Sequence, residues 1–258
     1  MDGVIKIQLW QFLIVYLLLL VVLLIMKICH VDKAKQLIVA SIKMTIQLVL
    51  AGYILAYIFD NPHPLFVILY IVLMISFTIY RVLSKNKELN KKFKIVVAVS
   101  IIFSGLSIII FFIGVVVGVS LFNPQYVIPI SGMVIGNTMT GVSLGLKTFK
   151  ESIKDQRSKI NALMCLGADP KDILLPVVKQ SLETAMLPTL NSMVGMGIVS
   201  LPGMMTGQIL AGTIPTTAIL YQIAIMIAIC TVVTCSSFGS LYFGFKTMYN
   251  RHDLIINI

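Results

Sequence analysis

Ile95-Val-Val-Ala-Val-Ser-Ile-Ile-Phe-Ser-Gly-Leu-Ser-Ile-Ile-Ile-Phe-Phe-Ile-Gly-Val-Val-Val-Gly-Val-Ser-Leu121 is a run of 27 residues without a single charge. At 1.5 Å per residue, a helix of that length reaches about 40 Å, more than the ~30 Å hydrocarbon core of a bilayer. In a soluble protein the outer face of such a helix would meet water. The stretch therefore predicts a membrane span.

Six more apolar runs flank it. The predicted spans are 8–27, 36–59, 65–83, 95–121, 127–146, 181–201 and 216–245. Lys43 in the second and Glu183 at the start of the sixth are placed near one membrane face, where a long side chain can reach water. Composition agrees: 58% of residues are hydrophobic and 12% charged, with a mean hydropathy of +0.99. Soluble domains carry roughly 25% charge. No stretch of domain length lacks a long apolar run, so a soluble catalytic domain has no place. The expectation is one membrane domain over residues 1–258, an all-α fold of about seven transmembrane helices. The first run lacks a basic leader and a small-residue cleavage site, so it is expected to stay as the first span.

The net charge of +10 would suggest nucleic acid in a soluble chain. Here the cations fall in alternate connections instead. Lys27, Lys33 and Lys35 follow span one. Arg81, Lys85, Lys87, Lys91, Lys92 and Lys94 surround the turn between spans three and four. Lys147, Lys150, Lys154, Arg157, Lys159, Lys171 and Lys179 lie between spans five and six, and Lys246 and Arg251 end the chain. The other connections, Asn61-Pro-His-Pro64, Asn123-Pro-Gln125 and 201–215, hold no lysine or arginine. Only Lys6 falls on that side. The positive-inside rule then gives N-terminus out and C-terminus in, with the lipid bilayer as one partner and no nucleic acid.

Several chemistries are absent. Cys29, Cys165, Cys230 and Cys235 form no CxxC pair, which argues against a zinc site or a disulfide framework. His30, His63 and His252 are far apart, and no Ser-His-Asp set is indicated. None of the ten acidic residues is predicted at the middle of a span, where ion-driven carriers place carboxylates. No G-x-x-x-x-G-K-[ST] loop occurs, so the chain is expected not to hydrolyse ATP and to bind no cofactor itself; no catalytic residue is assigned. Glycines four apart, at Gly114/Gly118, Gly132/Gly136 and Gly141/Gly145, allow close helix approach. That approach is either internal or to a second copy.

Between spans five and six, Ile160, Leu163, Met164 and Leu166 predict an amphipathic helix. Gly167 would end it, and Asp169-Pro170 would cap and start a second short helix. The stretch Asn161-Ala-Leu-Met-Cys-Leu-Gly-Ala-Asp169 looks like the cytoplasmic coupling loop of ABC transporter permeases, whose pattern is E-A-A-x-x-x-G followed by Leu-Pro. Ala162 and Gly167 keep the pattern. Asn161 replaces its acid, Leu163 its second alanine, and Leu175-Pro176 comes sooner than usual.

A longer match lies downstream. Ser200-Leu-Pro-Gly-Met-Met-Thr-Gly-Gln-Ile-Leu-Ala-Gly212, supported by Gly132-Met-Val-Ile-Gly-Asn-Thr-Met-Thr140, resembles the signature of FetB-type iron-export permeases and their plant aluminium-tolerance relatives. The resemblance spans almost the whole chain. It implies the membrane subunit of an ATP-driven ABC transporter in the plasma membrane, the inner membrane of a bacterium. A separate ATPase would carry ATP and Mg, and this chain would form a homodimer bound to two ATPase copies. The coupling residues would be Asn161, Ala162, Leu163, Leu166, Gly167, Ala168 and Asp169. The implied substrate is iron or another metal, moved outward. A nucleotide sugar or other small solute, and an ATP-independent channel or carrier, stay open as alternatives. Candidate path residues are the neutral donors Asn137, Thr138, Thr140, Asn191, Thr206 and Gln208 with the thioethers Met193, Met196, Met204 and Met205. Carbonyl and hydroxyl oxygens suit harder ions and thioethers softer ones; a transport path needs weak, multi-site binding. No resident metal site follows. Pro202-Gly203 is expected to break the sixth span near its outer end.

Overall fold

Proline and short polar caps set where the helices begin. In the computed structural model, which describes residues 8–250 and 253–254, Pro64, Pro124, Pro170 and Pro215 each occupy the first turn of a helix. The proline there gives up an N–H that had no partner anyway. Three of these helices are also capped by the residue before the proline. His63 Nδ1 accepts from Leu65 N at 3.2 Å, Asn123 Oδ1 from Gln125 N at 3.1 Å, and Asp169 Oδ1 from Lys171 N at 2.8 Å. Lys6, Arg251 and His252 from the charge and histidine inventory lie outside the described residues.

The chain divides into two compact units: 1–62 with 207–213, and 63–206 with 214–258. The first holds α1 (Leu9–Val15), α2 (Leu17–Ile28) and α3 (Ala34–Asp60). α1 and α2 form one apolar span, Trp10–Ile28. No described residue of α2 is buried, and only Ile58 of α3 is. In lipid an outward leucine carries no hydration cost, so such helices need few internal contacts. One polar tie joins them: the Tyr16 hydroxyl is hydrogen-bonded to Thr45 Oγ1.

The second unit holds α4 (Pro64–Ser84), α5 (Lys91–Phe111), α6 (Pro124–Asp155), α7 (Arg157–Cys165), α8 (Pro170–Gly195) and α10 (Pro215–Phe238). A π-helical turn extends α5 through Val117, and another extends α10 through Phe243. α9 (Gly203–Leu210) is shared between the units. α6 is the centre of this unit and packs against α8, α10 and α4. Two apolar clusters fill it. One gathers Phe93, Phe149, Ile153, Ile160, Leu174 and Phe245; the other Ile113, Val134, Ile225 and Val232. Tyr249–Asn250 pairs antiparallel with Asp253–Leu254 in a two-residue ladder after the last helix.

Among the described residues, six helices are long and apolar enough to cross a membrane: Trp10–Ile28, Ala34–Asp60, Pro64–Ser84, Lys91–Val117, Pro124–Asp155 and Pro215–Phe243. The chain is a multi-pass α-helical membrane protein. The seventh predicted span, 181–201, falls in α8 with a different outline. α8 begins at Pro170 and ends at Gly195, and carries Lys171, Asp172, Lys179 and Glu183 along its 26 residues. The short second helix expected after Asp169-Pro170 is thus the first part of this long one. Pro176 and Pro188 do not stop it, since neighbouring helices and polar side chains in a bundle re-satisfy the backbone groups that proline frees. The break also differs from expectation. It runs through Met196–Pro202, with Gly197 at φ +83° donating to Ser200 O at 2.9 Å, and Pro202-Gly203 opens α9 rather than ending a span.

The glycine pairs separate by use. A Cβ on Gly141 would sit 2.6 Å from Val233 Cγ1 and 3.2 Å from the Ala185 carbonyl oxygen. One on Gly145 would sit 3.1 Å from Ala185 Cβ and 3.3 Å from Ser181 O. This pair serves internal packing of α6 on α8 and α10. Gly114, Gly118 and Gly136 have open space where a side chain would go.

Candidate functional site

α7 follows α6 after one residue, Gln156, which caps both. Its end is fixed by two backbone bonds. Gly167 N donates to Met164 O at 2.9 Å and Ala168 N to Leu163 O at 3.1 Å. This crossed pair needs a left-handed residue, and Gly167 has φ +82°. Ile160, 2% exposed, roots α7 in the apolar cluster between α6 and α8, with Leu163, Met164 and Ala168 packed at its edge. Asn161, Ala162, Cys165, Gly167 and Asp169 face outward. Leu166 is 83% exposed, a large apolar knob at the tip of the turn. α7 is therefore anchored on one side and open on the other.

The predicted path residues spread over two faces and two units. Asn137 and Thr140 share an exposed stripe of α6 that continues through Lys147, Glu151 and Lys154. Asn137 Nδ2 donates to Met133 O at 2.8 Å and Thr140 Oγ1 to Gly136 O at 3.2 Å. The Thr140 hydroxyl proton and one Asn137 N–H are thus used by the helix itself, and both side-chain oxygens remain available as acceptors. Thr138 lies off this stripe, 1% exposed, bonded to Val134 O at 2.8 Å. On α8, Asn191 and Met193 are exposed. Met196 is half-buried, and Gln222 Nε2 approaches its sulfur at 3.8 Å. Met205 is buried, and Met204 packs on the second apolar cluster. Thr206 Oγ1 turns back to Pro202 O and Gly203 O at 3.1 and 3.0 Å. Gln208 belongs to the other unit, where its Oε1 is buried with no partner among the described residues.

Close approach of Gly145 to Ser181 and of Gly141 to Ala185 fixes an antiparallel register. It sets Glu183 level with Ser143, about 6 Å inside Lys147 at 1.5 Å per residue. Glu183 is exposed and has no ion-pair partner among the described residues. The same register carries Asn137 to the level of Thr189–Asn191. Among the described residues, no three His, Cys, Asp or Glu side chains converge on a common metal position.

Residues outside the sequence motifs belong to the same α6 stripe. Ser143 and Leu144 continue it between Thr140 and Lys147 and, with Asn86 of the α4–α5 turn, line a basic cavity. The readable signal was the three-to-four-residue spacing of polar groups from Asn137 to Lys154, which runs through the boundary of the apolar span.

Fold and polar faces together define a multi-pass helical membrane protein with an exposed, rooted turn at its basic end. The family described as "Uncharacterised protein family (UPF0014)" matches residues 9–249, and the chain belongs to it. The UPF0014 membrane protein YjkA of Bacillus subtilis is 33% identical over 219 residues, covering 81% of this chain and 85% of the relative. Protein ALUMINUM SENSITIVE 3 of Arabidopsis thaliana is 34% identical over 206 residues, covering 80% and 74%. The probable iron export permease protein FetB of Escherichia coli is 29% identical over 244 residues, covering 93% of each chain. No solved structure gives a significant match.

Proposed function

We propose that this chain is the membrane-spanning permease subunit of an ATP-driven ABC transporter that exports iron or another metal. The observation that carries the reading is α7: a capped, outward-facing turn rooted by Ile160 in the core between α6 and α8. A force on Leu166 and its neighbours has a rigid route into both long helices. The relationship to the iron export permease supports the substrate class. In this reading the basic end faces the cytoplasm, the N-terminus lies outside, and residues 1–258 act as one permease domain. Two copies pair with two ATPase subunits in the bacterial inner membrane. ATP and Mg belong to the ATPase, and this chain performs no catalysis.

Metal leaving by this route would meet neutral oxygens at Asn137, Thr140 and Asn191, and thioethers at Met193 and Met196. Weak ligands of this kind let an ion enter and leave. Asn137→Leu is expected to lower export about tenfold, the equivalent of ~1.4 kcal/mol, at unchanged abundance. Thr138→Val removes a hydroxyl that serves only its own helix and should leave export near normal. Equal export by the Asn137 variant and wild type would remove that residue from the path.

The deciding experiment is reconstitution with the ATPase in proteoliposomes. Iron should stimulate ATP hydrolysis and accumulate on the side opposite the ATPase. Stimulation by a nucleotide sugar but not by metal would keep the permease reading and replace the substrate. Metal flux without any ATPase would replace the permease reading with a channel or carrier.

A further inference from the structure

At the basic end of the second unit, α6 and the α4–α5 turn enclose a cavity of about 590 Å³. Five cations line it: Lys85, Lys147, Lys150, Lys154 and Arg157. Two carboxylates share the wall, and each is already engaged. Glu88 Oε2 lies 3.1 Å from Lys150 Nζ, and Glu151 Oε1 lies 3.7 Å from Lys147 Nζ. Lys85, Lys154 and Arg157 have no carboxylate within 4.0 Å among the described residues. The cavity therefore carries a net charge of +3, five cations less two carboxylates.

Its shape matters as much as its charge. The lining runs from Ser143 along α6 to Arg157 at the start of α7, about 20 Å at 1.5 Å per residue. It starts a full turn inside the apolar span and ends at the first residue of α7. Lys150 is held inward, its side chain 21% exposed. An ordinary solvated lysine face would be convex and would begin only at Lys147. A concave site with apolar walls concentrates the potential of its cations. Lysine and arginine donors in such a setting match phosphate oxygens, and basic pockets between transmembrane helices hold phosphate headgroups. The volume lies within the range of small-ligand sites, about 300–1,000 Å³.

We propose that this cavity is a binding site for a phosphate-bearing anion, held chiefly by Lys85, Lys154 and Arg157. The phosphate comes either from an anionic lipid whose tails lie along the apolar span or from a free solute. Because Arg157 opens α7, the bound anion ties the end of the span to that helix. The inference is independent of the transported substrate and of any ATPase.

The test uses the full-length chain, delipidated in a neutral detergent, with the thermal midpoint as readout. A ligand that binds only the folded form raises that midpoint. Phosphatidylglycerol, or inorganic pyrophosphate, is expected to raise it by several degrees, whereas phosphatidylcholine should not. The rise should vanish in Lys154→Gln/Arg157→Gln and persist in the charge-preserving Lys154→Arg/Arg157→Lys. A response to phosphatidylglycerol alone identifies the lipid headgroup, and a response to pyrophosphate identifies a soluble anion. If the neutralised variant is too unstable to melt, phosphatidylglycerol retained by wild type in native mass spectrometry, and displaced by pyrophosphate or 0.5 M salt, supports the site. The proposal is overturned by an equal shift in wild type and the neutralised variant, by no shift with either phosphate, or by a shift with polyglutamate peptide alone, which would mark an acidic protein segment as the occupant.

Discussion

Gly141→Leu should reduce the yield of folded, monodisperse protein to less than about a tenth of wild type. Even a Cβ at this position meets Val233 Cγ1 at 2.6 Å and the Ala185 carbonyl oxygen at 3.2 Å. The side chain of Val233 could rotate, but the α8 backbone cannot without moving a 26-residue helix. Overpacking usually costs about 1–3 kcal/mol, and more where backbone must shift; this site belongs at the upper end. Fluorescence-detected size exclusion of tagged protein measures it. Gly136→Leu is the control, since nothing lies within 4 Å of a Cβ there. Its yield should stay near wild type. Equal yields for the two variants would mean that α6 and α8 do not meet at Gly141.

Leu166→Asp should cut ATPase stimulation roughly 30-fold, the equivalent of losing a ~2 kcal/mol hot spot, while folded yield stays unchanged. Leu166 is 83% exposed, so its loss leaves no internal cavity. In the proposed coupling role, a single carboxylate there would place an unpaired charge in the docking groove of the ATPase. Gly167→Val tests the same turn differently. It forces a β-branched residue to φ +82° where no atom lies within 4 Å of the Cβ. Strain of about 1–2 kcal/mol is then confined to the turn. Both variants should lose co-purifying ATPase before they lose membrane insertion. Full stimulation by both would remove α7 from the coupling role.

The parts legible in advance were those set by local chemistry. Gly167 is left-handed, and Asp169 caps the next helix with Pro170 in its first turn, as that short sequence demands. Membrane class followed from apolar length alone. What escaped was where helices end relative to where lipid ends. Hydropathy reports the solvent, not the backbone. α6 continues from Leu146 to Asp155 because Lys147, Lys150, Glu151 and Lys154 are good helix formers, with Lys147 and Glu151 one turn apart. The start of α8 was hidden for the same reason, and its end at Gly195 was masked by the more conspicuous Pro202-Gly203. Among the path residues, Asn137 and Thr138 are neighbours in sequence and therefore about 100° apart on a helix. Composition makes both candidates, and only the burial of Thr138 separates them.

The glycine contact has a mechanical consequence. Gly141 and Gly145 bring α6 hard against α8 and α10, and the helix extends about 15 Å from there to Asp155 and about 26 Å the other way to Pro124, at 1.5 Å per residue. A stiff rod held there is a lever with unequal arms. In the proposed transport cycle, a sideways push delivered at the α7 end would emerge at the far end enlarged and with the opposite sign. Narrowing one mouth would then widen the other, with the fulcrum built from two missing side chains.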